Sequence, residues 1–239
     1  MIVGSDGAPW VTDSGLNAIV RVDPQTEKVD VHPLPSDRAN AALNTAAFAP
    51  NGILWFTGQT GGIVGRLNPG TGEMDTFDAP RGAGPYGITT TPDGAVFFAS
   101  LAGNYLGRVD PASGEITVLE PPTADQGARR AWSDARGRVR VSESNAGQVA
   151  VYDPATSEWQ EWRLPGTTPQ AYSVFVDENG QVWLSDFGAN AIVSFDPVTE
   201  GFRSFPLPDA PGEVRQINGR TGEVWAAESA ADRIVVVRY

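Results

Sequence analysis

Two sets of residues recur along the chain at intervals of 42 to 45 positions. Asp13, Gly58, Ser100, Glu143, Asp186 and Glu228 form one; Asn44, Tyr86, Arg129, Tyr172 and Arg215 form the other. The acids among them, with Glu213, are hard oxygen donors of the kind Mg2+ takes, and a bound ion would polarise a carbonyl as a Lewis acid. A carboxylate acts as a general base near neutral pH only where burial or like charge raises its pKa. Tyr86 and Tyr172 would need strong help, since a free phenol titrates near pH ~10. Arg215 stays protonated and is no base. Its fork of donors suits either a buried ion pair with Glu213 or Glu228, or a ligand carboxylate. The chain has no Cys and one His, His32, expected at the surface of an outer strand. Thiolate chemistry and a Ser-His-Asp arrangement are therefore excluded.

The elements that must position these residues show the same period. A "DG" turn or its relative places Gly at 7, 52, 94, 137, 180 and 222. Asp23-Pro24, Asn68-Pro69, Asp110-Pro111, Asp153-Pro154 and Asp196-Pro197 follow in step. Three residues after the first Gly stands an aromatic (Trp10, Trp55, Phe97, Trp183, Trp225), with Arg140 in the fourth copy. The turns suit tight connections, because Asp bonds nearby backbone, Pro presets φ and Gly accepts positive φ. Between them lie apolar runs of four to six residues, too short for helices. In the third copy the strands are expected at about 86–91, 95–100, 105–110 and 115–119.

Four strands per repeat, with aromatics to fill a wedge between sheets, predict an all-β, six-bladed β-propeller in one domain. The repeats span approximately 1–38, 39–80, 81–123, 124–166, 167–209 and 210–239, and the last lacks its outer strand, giving 23 strands in all. Residues 234–237 would then form an apolar edge, expected to meet a second copy or to belong to a longer chain. The residues opening each innermost strand and those ending each second strand are expected to line one mouth of the central channel. Asn44, Tyr86, Arg129, Glu143 and Asp186 would bind a ligand there. Trp159 and Trp162 are expected to pack under the next blade. "GQTGGIVG" should be an inter-strand connection and not a phosphate loop.

A formal charge of -12 argues against a nucleic-acid partner. Five arginines between Arg129 and Arg140 read as solvated charge, with the Arg140 stem over an apolar neighbour and its head exposed. No leader is recognisable and no apolar run approaches a membrane span, so cytoplasm is the default, a removed leader being compatible with the sequence.

The stretches "GPYGITTTPDG…FFAS…NYLGRVDP…GEI", "NGILWFTG…GGIVGRLNPGTGEMDTF" and "NGQVWLSDFGANAIVSFDP" resemble the repeat of the virginiamycin B lyase (streptogramin lyase) family along essentially the whole chain. The resemblance implies a seven-bladed, Mg2+-dependent lyase that opens the ester of a cyclic depsipeptide by elimination, without adding water. It implies catalytic or metal-binding roles for Glu213 and Glu228. It places Arg215 where the family has a histidine, and Tyr172, or Gln170 one register over, where it has a second. The family's first-blade Tyr corresponds to a "PYG" motif found here at Tyr86, in the third copy. A propeller that binds a small molecule, peptide or protein at the channel mouth without turnover is the alternative.

Overall fold

The computed structural model describes residues 1–239. The chain folds into 23 strands in six antiparallel sheets, a six-bladed β-propeller whose last blade has three strands. It divides into two compact units, Met1–Glu120 and Pro121–Tyr239, of three blades each.

In the first unit, blade 1 contains β1 (Ile2–Val3), β2 (Pro9–Asp13), β3 (Ala18–Val22) and β4 (Val29–Pro33). Blade 2 contains β5 (Leu43–Phe48), β6 (Leu54–Gly58), β7 (Ile63–Leu67) and β8 (Met74–Asp78). Blade 3 contains β9 (Pro85–Thr90), β10 (Val96–Ser100), β11 (Tyr105–Val109) and β12 (Ile116–Leu119), within a residue of the expected bounds. The wedge aromatics hold these blades together, each reaching toward the following sheet. Trp10 packs with Leu43, Leu54 and Phe56, and Trp55 with Ile88, Val96 and Phe98. Room for a ring is made by a glycine in the third strand: Gly107 pairs with Phe98 in the ladder. A Cβ at Gly107 would come within 2.2 Å of the Phe98 ring. Because that ring is fully buried, Gly107→Ala is expected to lower stability by about 1–3 kcal/mol in a denaturant titration.

In the second unit, blade 4 contains β13 (Ala128–Ser133), β14 (Val139–Glu143), β15 (Gln148–Asp153) and β16 (Glu158–Arg163). Blade 5 contains β17 (Ala171–Val176), β18 (Val182–Asp186), β19 (Ala191–Asp196) and β20 (Gly201–Pro206). Blade 6 contains β21 (Val214–Arg220), β22 (Glu223–Glu228) and β23 (Arg233–Arg238). Trp183 packs with Ile217, Val224 and Ala226 between blades 5 and 6. Trp162 lies 4.9 Å from Phe195 of the next blade, as expected, whereas Trp159 lies 5.0 Å from Tyr152, its ladder partner within blade 4. β23 pairs only with β22, and Ile234 on it is 69% exposed. "GQTGGIVG" forms the β6–β7 connection.

Two expectations are corrected. Arg140 does not raise its head to solvent. Its side chain is 1% exposed, because it takes the inward seat of a wedge aromatic and β14 lies between two other strands. His32 is half-buried, not a free surface residue, since its ring stacks on Trp10 at 5.8 Å.

Candidate functional site

The predicted strand-opening residues share one backbone device. In blades 2 to 6 the first strand carries one more residue than the second just after the opening pair: Leu43↔Gly58, Pro85↔Ser100, Ala128↔Glu143, Ala171↔Asp186 and Val214↔Glu228. Asn44, Tyr86, Arg129, Tyr172 and Arg215 each follow the first member of those pairs, so all five lie in a β-bulge. A bulge breaks the alternation of the ladder and re-aims the side chain it carries.

Hydroxyls one position before the second strand's end hold these bulges. Ser142 Oγ accepts from Arg130 N at 3.0 Å and donates to the Tyr172 carbonyl at 2.5 Å, tying blade 4 to blade 5. Ser185 Oγ accepts from Ser173 N at 2.9 Å, and Ser173 Oγ accepts from Ile217 N at 3.1 Å, carrying the tie to blade 6. In the first unit Thr12 Oγ1 donates to the Asn44 carbonyl at 2.8 Å, and Thr57 Oγ1 to the Tyr86 carbonyl at 2.6 Å. Sequence reasoning does not single out these hydroxyls as positioning groups. A signal for them exists, since Thr12, Thr57, Ser142 and Ser185 fall on the repeat period.

In the second unit the bulges of blades 4 and 5 bring two of the predicted residues together. The Arg129 guanidinium lies 3.9 Å from the centre of the Tyr172 ring, and Arg130 lies 5.9 Å from it. On Tyr172 stacks Phe187, 4.6 Å away at 15° between planes. Cation and π-face attract each other, more strongly where water is excluded. This stack borders a cavity of about 390 Å³ that Ser144, Asn145 and Gln170 also line.

Blade 6 presents a different pair. Arg215 Nη2 lies 2.7 Å from Glu213 Oε2, with both side chains partly exposed. The ion pair expected to be buried is therefore a solvent-facing one, and its partner is Glu213. Glu213 has φ of 50°, and its carbonyl accepts from Ser229 Oγ at 2.7 Å. A side chain in that left-handed region persists only where neighbours hold it.

Three of the four strand-end acids are sealed away from this face; Asp13, in the first unit, is half-buried and its Oδ1 accepts from Leu16 N at 2.9 Å. Asp186 Oδ1 accepts from the backbone N–H of Gln170, Gly188 and Ala189 at 2.8–3.2 Å, so it ties the loop before β17 to the turn after β18. Glu143 accepts from Gln148 Nε2 at 2.6 Å. Burial pushes its carboxyl up to about 8, against the lowering effect of that hydrogen bond and with a smaller raising effect from the Glu161 charge. Glu228 is 1% exposed, and neither carboxylate oxygen has a hydrogen-bond partner. A Cβ at Gly212 would stand 2.9 Å from its Oε1, so the loop before β21 covers it. Asn44 and Tyr86 lie in the first unit, where Tyr86 is buried and the Asn44 Oδ1 accepts from Thr45 Oγ1 at 3.0 Å.

Glu213 and Glu228 do not fit a shared Mg2+ as they stand. The Glu213 carboxylate is engaged by Arg215 and that of Glu228 is covered; no group of three or more His, Asp or Glu side chains is gathered as a ligand set.

Six small antiparallel sheets joined by wedge aromatics define a β-propeller. The virginiamycin B lyase family model matches residues 1–238, and the chain belongs to that family. Among solved structures it is similar to the selenomethionine-substituted virginiamycin B lyase of Staphylococcus aureus, at 19% identity and a TM-score of 0.87, over 100% of this chain and 83% of that one. A catalytically inactive histidine-to-alanine variant of the S. aureus lyase, with quinupristin, is 20% identical at a TM-score of 0.90, over 100% and 82%. A streptogramin B lyase is 24% identical at 0.86, over 95% and 74%. At these identities the likeness speaks for the fold. No curated protein matches the chain. No helix is long and apolar enough to cross a membrane.

Proposed function

We propose that this propeller is a virginiamycin B lyase-like protein that takes a cyclic depsipeptide on its strand-opening face and opens the ester by elimination. Membership of the family along residues 1–238 is the observation that carries the reading. The solved lyase with quinupristin supports a small cyclic peptide as the ligand class. Elimination needs a base for the proton next to the carbonyl and a donor for the charge that grows on the carbonyl oxygen. Glu213 and Arg215, paired at 2.7 Å and open to solvent, are the groups within reach of a substrate on this face. Glu213 meets the requirement for a base only once a bound substrate draws Arg215 onto its carbonyl and shuts water out. The Glu213 carboxylate takes the α proton, and the C–H electrons form the new C=C bond. The C–O bond breaks, the ester oxygen leaves as part of a carboxylate, and no water is consumed. Arg215 donates to the carbonyl oxygen while the proton moves. Tyr172 and Arg129 hold the ring of the substrate against the stack they form. Glu228 lies beneath as a covered carboxylate under the loop that carries Glu213, and no proton transfer is assigned to it.

The family resemblance implies Mg2+, but no step is assigned to it because the donors do not make a shared site. Incubation with quinupristin, followed by mass spectrometry, tests the reading: the ring should open with its mass unchanged. Glu213→Gln is expected to slow opening at least ~100-fold, the range of a lost general base. Activity that persists in excess chelator would place the work on Glu213 and Arg215 alone. An intact ring after prolonged incubation with the protein and Mg2+ sinks the assignment.

Binding without turnover is the second reading, and a specific observation favours it. The relative inactivated by a histidine-to-alanine change depends on a histidine. The resemblance puts Arg215 where the family has a histidine, and the one His of the chain, His32, stacks on Trp10 in blade 1. Saturable calorimetric binding of quinupristin recovered intact is the outcome that selects this reading.

A further inference from the structure

We infer that the cavity bordered by Arg129, Tyr172 and Phe187 is a binding site for an organic carboxylate carried on a planar body. It is lined by one cation and by no acid. That composition is unusual in a chain with 29 acidic and 17 basic residues. The polar lining is otherwise neutral: Ser144, Asn145 and Gln170. Two strand-end acids adjoin the lining in sequence, Glu143 before Ser144 and Asp186 before Phe187, but both are buried, at 0% and 1% exposure, and neither carboxylate lines the cavity.

The geometry adds a shape to this charge. Arg129 is held on the Tyr172 ring at 3.9 Å, and Phe187 backs the same ring at 4.6 Å. A guanidinium placed in this way is pre-organised, since little rotamer freedom remains to be lost when an anion arrives. Its planar fork matches two carboxylate oxygens, and such charge-assisted bonds are about twice as strong as neutral ones. Tyr172 is covered by Arg129 on one face and Phe187 on the other, so the outer face of the half-buried Phe187 is the one that offers stacking to a planar group joined to the carboxylate. The Tyr172 backbone is fixed from below by Ser142, which is fully buried, so the platform does not depend on surface side chains.

This inference deepens the proposed function: it rests on that reading only for the identity of the carboxylate. Ester elimination releases the acyl half as a carboxylate, and the site would receive that leaving group as its charge develops. The linear product should then bind more tightly than the uncharged ester.

Benzoate titrated calorimetrically into the full chain, with benzamide as the uncharged control, tests the site without any turnover. Benzoate should bind saturably and at least tenfold more tightly than benzamide. Arg129→Gln should abolish that preference, and Arg129→Lys, which keeps the charge without the planar fork, should restore part of it. Asn145→Asp places an acid on the exposed rim and leaves Arg129 untouched; it should also weaken benzoate at least severalfold while benzamide is unchanged. Equal affinity for the two probes, or a benzoate preference that survives Arg129→Gln, overturns the inference. If benzoate binds as described and quinupristin stays intact, the carboxylate site stands and the lyase reading falls. If the ring opens but benzoate shows no preference, the lyase reading stands and this site falls.

Discussion

Arg140→Met is expected to raise the melting temperature of the protein by several degrees. Trp10, Trp55, Phe97 and Trp183 are the buried occupants of the same seat in four other blades. In blade 4 the seat holds a guanidinium that is 1% exposed, with Nε and Nη1 short of hydrogen-bond partners. The nearest acid, Asp134, is 4.0 Å away and already takes Arg138 at 2.8 Å. Burial draws the Arg140 pKa down to about 10, which leaves the group charged at pH 7. A buried charge with so little compensation is a standing cost, and exchange of buried ions for apolar groups is neutral or stabilising by roughly 1–4 kcal/mol. Methionine keeps the unbranched stem of arginine and ends short of the guanidinium, so it removes the charge while its flexible thioether takes up part of the wedge. Arg140→Ala should do the opposite, because the emptied wedge loses packing worth about 2–4 kcal/mol. Thermal unfolding of the two variants beside the parent separates the effects. A methionine variant that melts as low as the alanine variant would show that the charge itself is needed.

Which features are legible in the amino-acid sequence follows from the range of each signal. Strand bounds are legible because each turn is written locally, by Asp, Pro and Gly at fixed offsets. The two residue sets are legible because a strict period gives equivalent residues equivalent places. Every member of the Asp13-to-Glu228 set ends a second strand, and every member of the Asn44-to-Arg215 set sits in a bulge. Burial is not legible, since it depends on what loops lay over a residue. Glu228 is closed by the loop around Gly212, and Asp186 is tied to Gln170 in the loop before its blade. Arg140 departs from expectation for the same reason. Alternation assigns a face but says nothing of whether the neighbouring blade leaves a path to water. The Arg129–Tyr172 stack joins residues 43 positions apart. Periodicity predicts that they are equivalent, but only the structure shows that equivalent positions in adjacent blades touch.

Glu143→Gln should make stability markedly less dependent on pH, with its largest benefit near pH 8 to 9. The Glu143 carboxyl is fully buried and its pKa rises from the ordinary glutamate value of 4.5 to about 8. Below 4.5 the folded and unfolded chains both carry the proton, and the group costs nothing. Between 4.5 and 8 the unfolded chain gives up its proton while the folded chain keeps it, so stability drains away as pH rises. Above 8 the folded state holds a buried carboxylate and the loss is complete. A tenfold change in proton affinity is worth about 1.4 kcal/mol, which puts the loss at roughly 3–5 kcal/mol. That is a large share of the total for a domain of ordinary stability, about 5–15 kcal/mol. Glutamine keeps the shape and can still accept from Gln148, whose Nε2 also donates to Thr123 at 3.1 Å in the loop before β13. Melting temperatures of parent and variant should therefore nearly coincide at pH 4.5 and diverge steadily to pH 8. A gap of constant size across that range would mean that the Glu143 proton is not linked to folding, and that contacts other than the Gln148 hydrogen bond hold the glutamate in place.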